Sequence, residues 1–192
     1  MTKLTTSYFF YFLFVAALFS CSSDISENSV EEDKTLHEEL NLSGKVFLYA
    51  PELDTITCLA HGECDCCTGN YLFLNDKEFV TIDYCEADNT YSKGTYEIKN
   101  GNVLLHYDGL SINKIYNFEN EIDSTGSDTS KFLISQTNVD TSTVTMTRLD
   151  CKKNICFNTG IKEIPFASLD KKLKIVDLIN QLKADNIWDK LK

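Results

Sequence analysis

"GTYEIKNGNVLLHYDG", residues 94–109, is the stretch that decides the fold. In its first half Tyr96 and Ile98 alternate with Thr95, Glu97 and Lys99, the period of two that a half-buried strand requires. Asn100-Gly101 follows. A type I′ turn needs positive φ at both central residues, and Asn-Gly meets that need at least cost. Residues 102–107 run back along the first strand, so the stretch is a β-hairpin. Asp108-Gly109 is read as the next turn.

The rhythm extends in both directions. Strands are expected at 45–50, 70–75, 78–84, 92–99, 102–107, 111–119, 130–136 and 142–149. "STVTMTRL" (142–149) places Val144 and Met146 on one face and Thr143, Thr145 and Thr147 on the other. Asn75-Asp76-Lys77 closes an earlier turn, and "STGSDTS" (124–130) is a polar loop. Consecutive hairpins make an antiparallel meander, and closing it into a barrel removes its exposed edges. The period then changes. Leu169, Leu173, Val176, Ile179 and Leu182 recur three or four apart over 168–184, with Ser168 as the expected N-cap after Pro165. The expected fold class is mainly β: an eight-stranded antiparallel meander barrel with a C-terminal amphipathic helix on its flank or open end.

"LSGKV" (42–46), "GTYEIKNGNVLL" (94–105) and the final hairpin "KFLISQTNVDTSTVTMTRL" (131–149) resemble the bacterial lipocalin-like lipoproteins. The resemblance implies a barrel domain over residues 42–192 that carries a small ligand. Val46 stands where that family has the Trp of a Gly-x-Trp, which keeps a lysozyme-inhibitor-like or sandwich variant open.

The N-terminus supplies the compartment. Lys3 is followed by an unbroken apolar run from Tyr8 to Phe19. That run is shorter than the roughly 20 residues a membrane-spanning helix needs, and has the length of a signal-peptide core. "LFSC" (18–21) resembles the lipobox of bacterial lipoproteins, which implies cleavage of residues 1–20, diacylglycerol on the Cys21 sulfur and acylation of the new N-terminus. Two or more acyl chains make a stable anchor where one is marginal. The aromatic leader and the acidic stretch behind it resemble lipoproteins of Bacteroidetes-type bacteria. Ser22, rather than Asp, implies sorting to the outer membrane, in its periplasmic or surface-facing leaflet. Residues 22–41 hold seven acidic side chains against Lys34 alone, the composition of a disordered tether. Leu36 and Leu40 are spaced for one helical turn near its end.

The net charge is −11, and loss of Lys3 with the leader makes the mature chain more acidic still. Phosphate backbones and anionic headgroups need clustered Lys and Arg, so nucleic acid is excluded as a partner and the membrane is reached through the lipid. There is no GxGxxG, P-loop or HExxH. Of the three histidines, His37 lies in the tether, His106 in a strand and His61 among cysteines. No catalytic set and no cofactor is expected.

"CLAHGECDCCTG" (58–69) holds four cysteines and a histidine. Zinc on Cys58, His61, Cys64 and Cys66 or Cys67 is one reading. The C-x5-C-x-C-C spacing departs from the paired C-x2–4-C of structural zinc, however, and thiols outside the cytoplasm are oxidised. Disulfides are therefore expected and a metal is not, with a redox pair behind both. If Asn75 and Glu78 close the 70–75/78–84 turn, Cys85 faces Thr68 and Cys67 faces Glu86. That puts Cys67 and Cys85 one step apart, within disulfide reach. Cys151 and Cys156 flank a loop short enough to bridge. Cys58 is expected to pair with Cys64 or Cys66, leaving one thiol over.

Two functions of different class remain. One is a carrier barrel for a small apolar ligand, with Tyr96, Tyr116 and Phe118 as its inward aromatics. The other is an interaction or inhibitor module that presents the stapled loop 58–69 to a protein partner, since a rigid loop loses little entropy on binding. An enzyme is not expected.

Overall fold

The computed structural model describes residues 40–62, 68–86, 88–117 and 132–192, which belong to one folded unit, Leu40–Lys192. The lipidation site Cys21, the leader, most of the tether, Cys64, Cys66, Cys67, Phe118 and the 124–130 loop lie outside the described residues.

Eight strands close into an antiparallel barrel. In chain order they are β1 (Val46–Ala50), β4 (Thr68–Phe73), β5 (Glu78–Cys85), β6 (Asp88–Lys99), β7 (Asn102–Tyr116), β9 (Ser142–Arg148), β10 (Cys156–Asn158) and β11 (Phe166–Leu169). β2 (Glu52–Leu53) and β3 (Ala60–His61) form a small separate ribbon, and β8 (Phe132–Asn138) hangs beside β7. The barrel order is β6-β5-β4-β1-β11-β10-β9-β7, closed by the β6–β7 pairing. The expected fold class holds: a mainly β, eight-stranded antiparallel barrel with a helix near the C-terminus.

The membership of the eight differs from the sequence reading, for local reasons. Asn100 and Gly101 adopt φ of 53° and 76° and pair Lys99 with Asn102, as a type I′ hairpin demands. Asp108-Gly109, by contrast, is not a turn. Residues 102–116 are one strand, and the register against β6 slips between Ser92–Ser111 and Gly94–Tyr107. Residues 108–110 are therefore bulged out opposite Lys93. Gly109 takes φ 83°, and the Asp108 carboxylate accepts the Leu110 amide. Below the bulge β7 pairs with β9, and above it with β8, so the bulge is where the barrel wall forks. β10 and β11, unexpected from the sequence, complete the ring.

The helix α1 spans Ile175–Ala184, not 168–184. Ser168 is not its N-cap but a buried strand residue whose hydroxyl accepts the Ala60 amide at 2.7 Å. Leu169 pairs with Phe47. Leu173 and Val176, expected on the buried stripe, are exposed, and Leu178 and Leu182 are the buried pair. The helix ends with Asn186 in the left-handed region. Asn186 and Ile187 amides return to the Lys183 and Leu182 carbonyls, burying Ile187 beneath. Nor does the tether reach residue 41, since Leu40 packs against the barrel core, outside any helix.

Two cores result. Inside the barrel lie Leu42, Phe47, Tyr49, Tyr71, Phe73, Phe79, Tyr96, Leu105, Met146 and Phe157. Outside, α1 and the following 3-10 turn (Trp188–Lys190) cover Val46, Leu72, Val80, Ile82, Tyr91 and Ile112. Lys114 and Asp185, 2.9 Å apart, pin the helix end to β7.

Candidate functional site: a cleft on the barrel flank

The barrel interior is filled by aromatic side chains. Phe47 meets Phe73 edge-on and leans on Phe157, and Phe73 meets Tyr96 edge-on at 4.8 Å. Tyr96, expected to line a ligand cavity, is a buried core residue whose hydroxyl donates to the Asn75 carbonyl. Tyr116, expected to point inward with it, sits at the far end of β7. Its alternation matches Ile112 on the outer face, and its ring meets Phe132 edge-on. The structure does not bring these two tyrosines together.

One polar layer interrupts the aromatic interior. Tyr49, Gly69 and Asp83 lie side by side on β1, β4 and β5. With no side chain at Gly69, the Tyr49 ring crosses the gap and its hydroxyl donates to the Asp83 carboxylate and the Ile82 carbonyl. A methyl group at position 69 would collide with both the Tyr49 hydroxyl and the Ile82 carbonyl. Burial pushes the Asp83 carboxyl above the usual carboxylate range, and the Tyr49 bond only partly offsets this. Tyr49, Tyr71 and Tyr107 are all raised, first by burial, then by neighbouring charge. Tyr49 and Tyr71 are buried in this layer, while Asp83 and Tyr107 are half-buried.

The flank is different. After β1, the chain leaves the wall at Pro51 and returns at Thr68, and the ribbon β2–β3 folds over the outer face of β1 and β11. Asp54 nucleates the overhang: its carboxylate accepts the Ile56 and Thr57 amides, and its carbonyl accepts the Cys58 amide at 2.7 Å. The hydrogen bonds hold the Asp54 carboxyl below its ordinary value. Beneath the overhang is a cleft of about 410 Å³. Leu48, Leu59 and Ala60 give it apolar walls, Ser168 lies at its base, and Lys153, Lys171 and Lys172 surround it, with Asp170 alongside. The Asp170 carboxylate is engaged by the Lys172 and Leu173 amides. A second hollow, about 300 Å³, lies between α1's C-terminal extension and β5–β6 and is lined by Trp188, Leu191 and Lys93.

The sequence pointed to the loop that carries Leu59 and Ala60, but not to the rest of the cleft's lining. Its walls come from four segments far apart in sequence. The available signal was two Lys-Lys pairs, Lys152-Lys153 and Lys171-Lys172, in an acidic chain.

The cysteines divide. Cys151 and Cys156 are bonded, as expected. Cys85 is disulfide-bonded; its expected partner, Cys67, lies outside the described residues. The register that suggested that pair shifts by one: Thr68 faces Tyr84, because Asn75 leaves the ladder to accept the Lys77 and Glu78 amides with its side chain. Cys58 is not bonded to Cys64 or Cys66. It is a buried free thiol, turned inward by a left-handed φ of 58°. His61, grouped with Cys58 in the zinc reading, is exposed and lies 3.6 Å from Glu52.

Fold and flank together define a closed antiparallel barrel with aromatic side chains packed inside it and a loop-covered external cleft. No family model matches the chain, and no curated protein matches it. Among solved structures it is similar to a streptavidin-like protein from Bacteroides eggerthii, at 13% identity and a TM-score of 0.48 over 77% of this chain and 91% of that one.

Proposed function

We propose that this chain is a non-catalytic binding lipoprotein, and that its ligand is a small molecule with an apolar body and an anionic group, held in the flank cleft. The carrying observation is the cleft itself: about 410 Å³, within the usual range of small-ligand sites, apolar on its walls and ringed by Lys153, Lys171 and Lys172. The apolar body would lie against Leu48, Leu59 and Ala60, and the anion would face the ammonium groups. Anchoring through Cys21 to the outer membrane, after loss of residues 1–20, belongs to the same proposal. Labelling with radioactive palmitate tests it, with a Cys21→Ser variant expected to lose the label.

The binding reading is tested by calorimetric titration with decanoate. Leu59→Asp, at a position already 45% exposed, should weaken binding more than tenfold without unfolding the protein. Equal affinity in the variant, or no binding to the wild type, would overturn the reading. The second reading, a module that presents this loop to a protein partner, is favoured by Ile56 and Leu59, 72% and 45% exposed on the overhang. It gains if decanoate fails to bind.

A further inference from the structure

Three sulfur atoms converge under the edge of the overhang. Cys58, Cys151 and Cys156 have their Sγ atoms within 4.8 Å of one another, two joined in a disulfide and the third a thiol. The convergence is built rather than incidental. Cys58 holds a left-handed backbone, φ 58°, that residues with a side chain rarely adopt. It is kept there by the Asp54 carbonyl on its amide and by Asn154, whose side-chain amide donates to the Cys58 carbonyl at 3.3 Å. Asn154 lies inside the Cys151–Cys156 loop and donates also to the Leu169 carbonyl. One side chain thus clamps the thiol's loop, the disulfide's loop and the end of β11.

We propose that these three cysteines form a thiol–disulfide exchange centre, in which Cys58 displaces Cys151 from Cys156 and the Cys151 thiolate then reacts with the disulfide of a second molecule. In the first step the Cys58 thiolate attacks the Cys156 sulfur. A Cys58–Cys156 bond forms, the Cys151–Cys156 bond breaks, and its electron pair leaves on Cys151. Cys58 gives its proton to solvent, Cys151 remains the thiolate that the second step needs, and the released R′ thiolate finally takes up a proton, so no oxidant or reductant is consumed. In the second step Cys151 attacks a disulfide R–S–S–R′, forming a mixed disulfide with R and releasing R′ as a thiolate.

The direction follows from exposure. Cys156 is fully buried and Cys58 nearly so, whereas Cys151 is only partly buried. Displacement depends on how well the leaving thiolate is stabilised, and the sulfur nearest water leaves most readily. The exchange therefore converts a thiol no second molecule can reach into one that it can. The partner class is a molecule bearing a reactive disulfide, and the inference does not rest on the cleft's taking a ligand.

The test uses the folded, oxidised protein and 5,5′-dithiobis(2-nitrobenzoate), a small aromatic disulfide, followed by non-reducing peptide mapping. The expected product carries thionitrobenzoate on Cys151 together with a Cys58–Cys156 bond. Cys58→Ser should lower the rate of adduct formation at Cys151 at least tenfold. An adduct on Cys58 or on Cys156, no adduct on any of the three, or an undiminished Cys151 adduct in Cys58→Ser would overturn the proposal. Cys151→Ala gives a second reading: refolded with glutathione disulfide, it should contain a Cys58–Cys156 bond, and its absence from correctly folded protein would count against the centre.

Discussion

The inside of this barrel and its flank are built from the same strands and do opposite things. On β1, Phe47 and Tyr49 point inward into an aromatic packing, while Leu48 between them points out into a cleft of about 410 Å³. The alternation that fixes the fold also sorts the strand into an inward face in the barrel core and an outward face on which Val46 packs under the helix and Leu48 borders the cleft. A closed eight-stranded barrel need not hold a ligand, because side chains of ordinary size fill it. Here Phe47, Phe73, Phe79, Tyr96 and Phe157 do so.

Substitutions should separate the two regions sharply. Phe47→Ala, which empties part of the interior, should cost about 3–5 kcal/mol in chemical denaturation. Leu59→Ala in the cleft should cost under about 0.5 kcal/mol. Similar losses at both sites would erase the distinction. Tyr49→Phe comes next. It removes the donor to a buried carboxylate and should cost about 1–3 kcal/mol at neutral pH.

A further effect depends on pH. Burial raises the folded-state carboxyl of Asp83, so folding favours its protonated form. That contribution is complete below the ordinary Asp value and is lost as pH rises through the raised one. Asp83→Asn, which stays neutral, should therefore melt a few degrees above wild type at pH 7, and the gap should close toward acid. A gap independent of pH, read by thermal melts from pH 3 to 8, would contradict a buried, raised carboxyl.

Local chemistry made part of this legible. The Asn100-Gly101 hairpin and the strand at 142–148 rest on short-range rules, turn conformation and alternation, and both appear where those rules put them. Asp108-Gly109 shows the limit of the same rules. Positive φ at glycine serves a bulge as well as a turn, and only the partner strands decide which forms. Residues 166–169 show another limit. Leu169 and Leu173 have helical spacing, yet pairing with β1 makes Phe166–Leu169 a strand, since so short an element takes its state from its neighbours. The cleft and the sulfur cluster lie beyond local rules altogether. Both depend on residues 57–60 meeting residues 151–156 and 168–172, contacts that exist only once the barrel has closed.

If the flank cleft is the binding site, a small ligand leaves the barrel interior untouched. Methyl NMR of protein labelled at Leu and Val, titrated with decanoate, addresses it residue by residue. Leu48 and Leu59 should shift progressively to saturation, while Val103 and Leu105, buried in the barrel, stay in place. Shifts at Val103 and Leu105 with Leu59 unmoved would put the ligand inside the barrel and contradict the account.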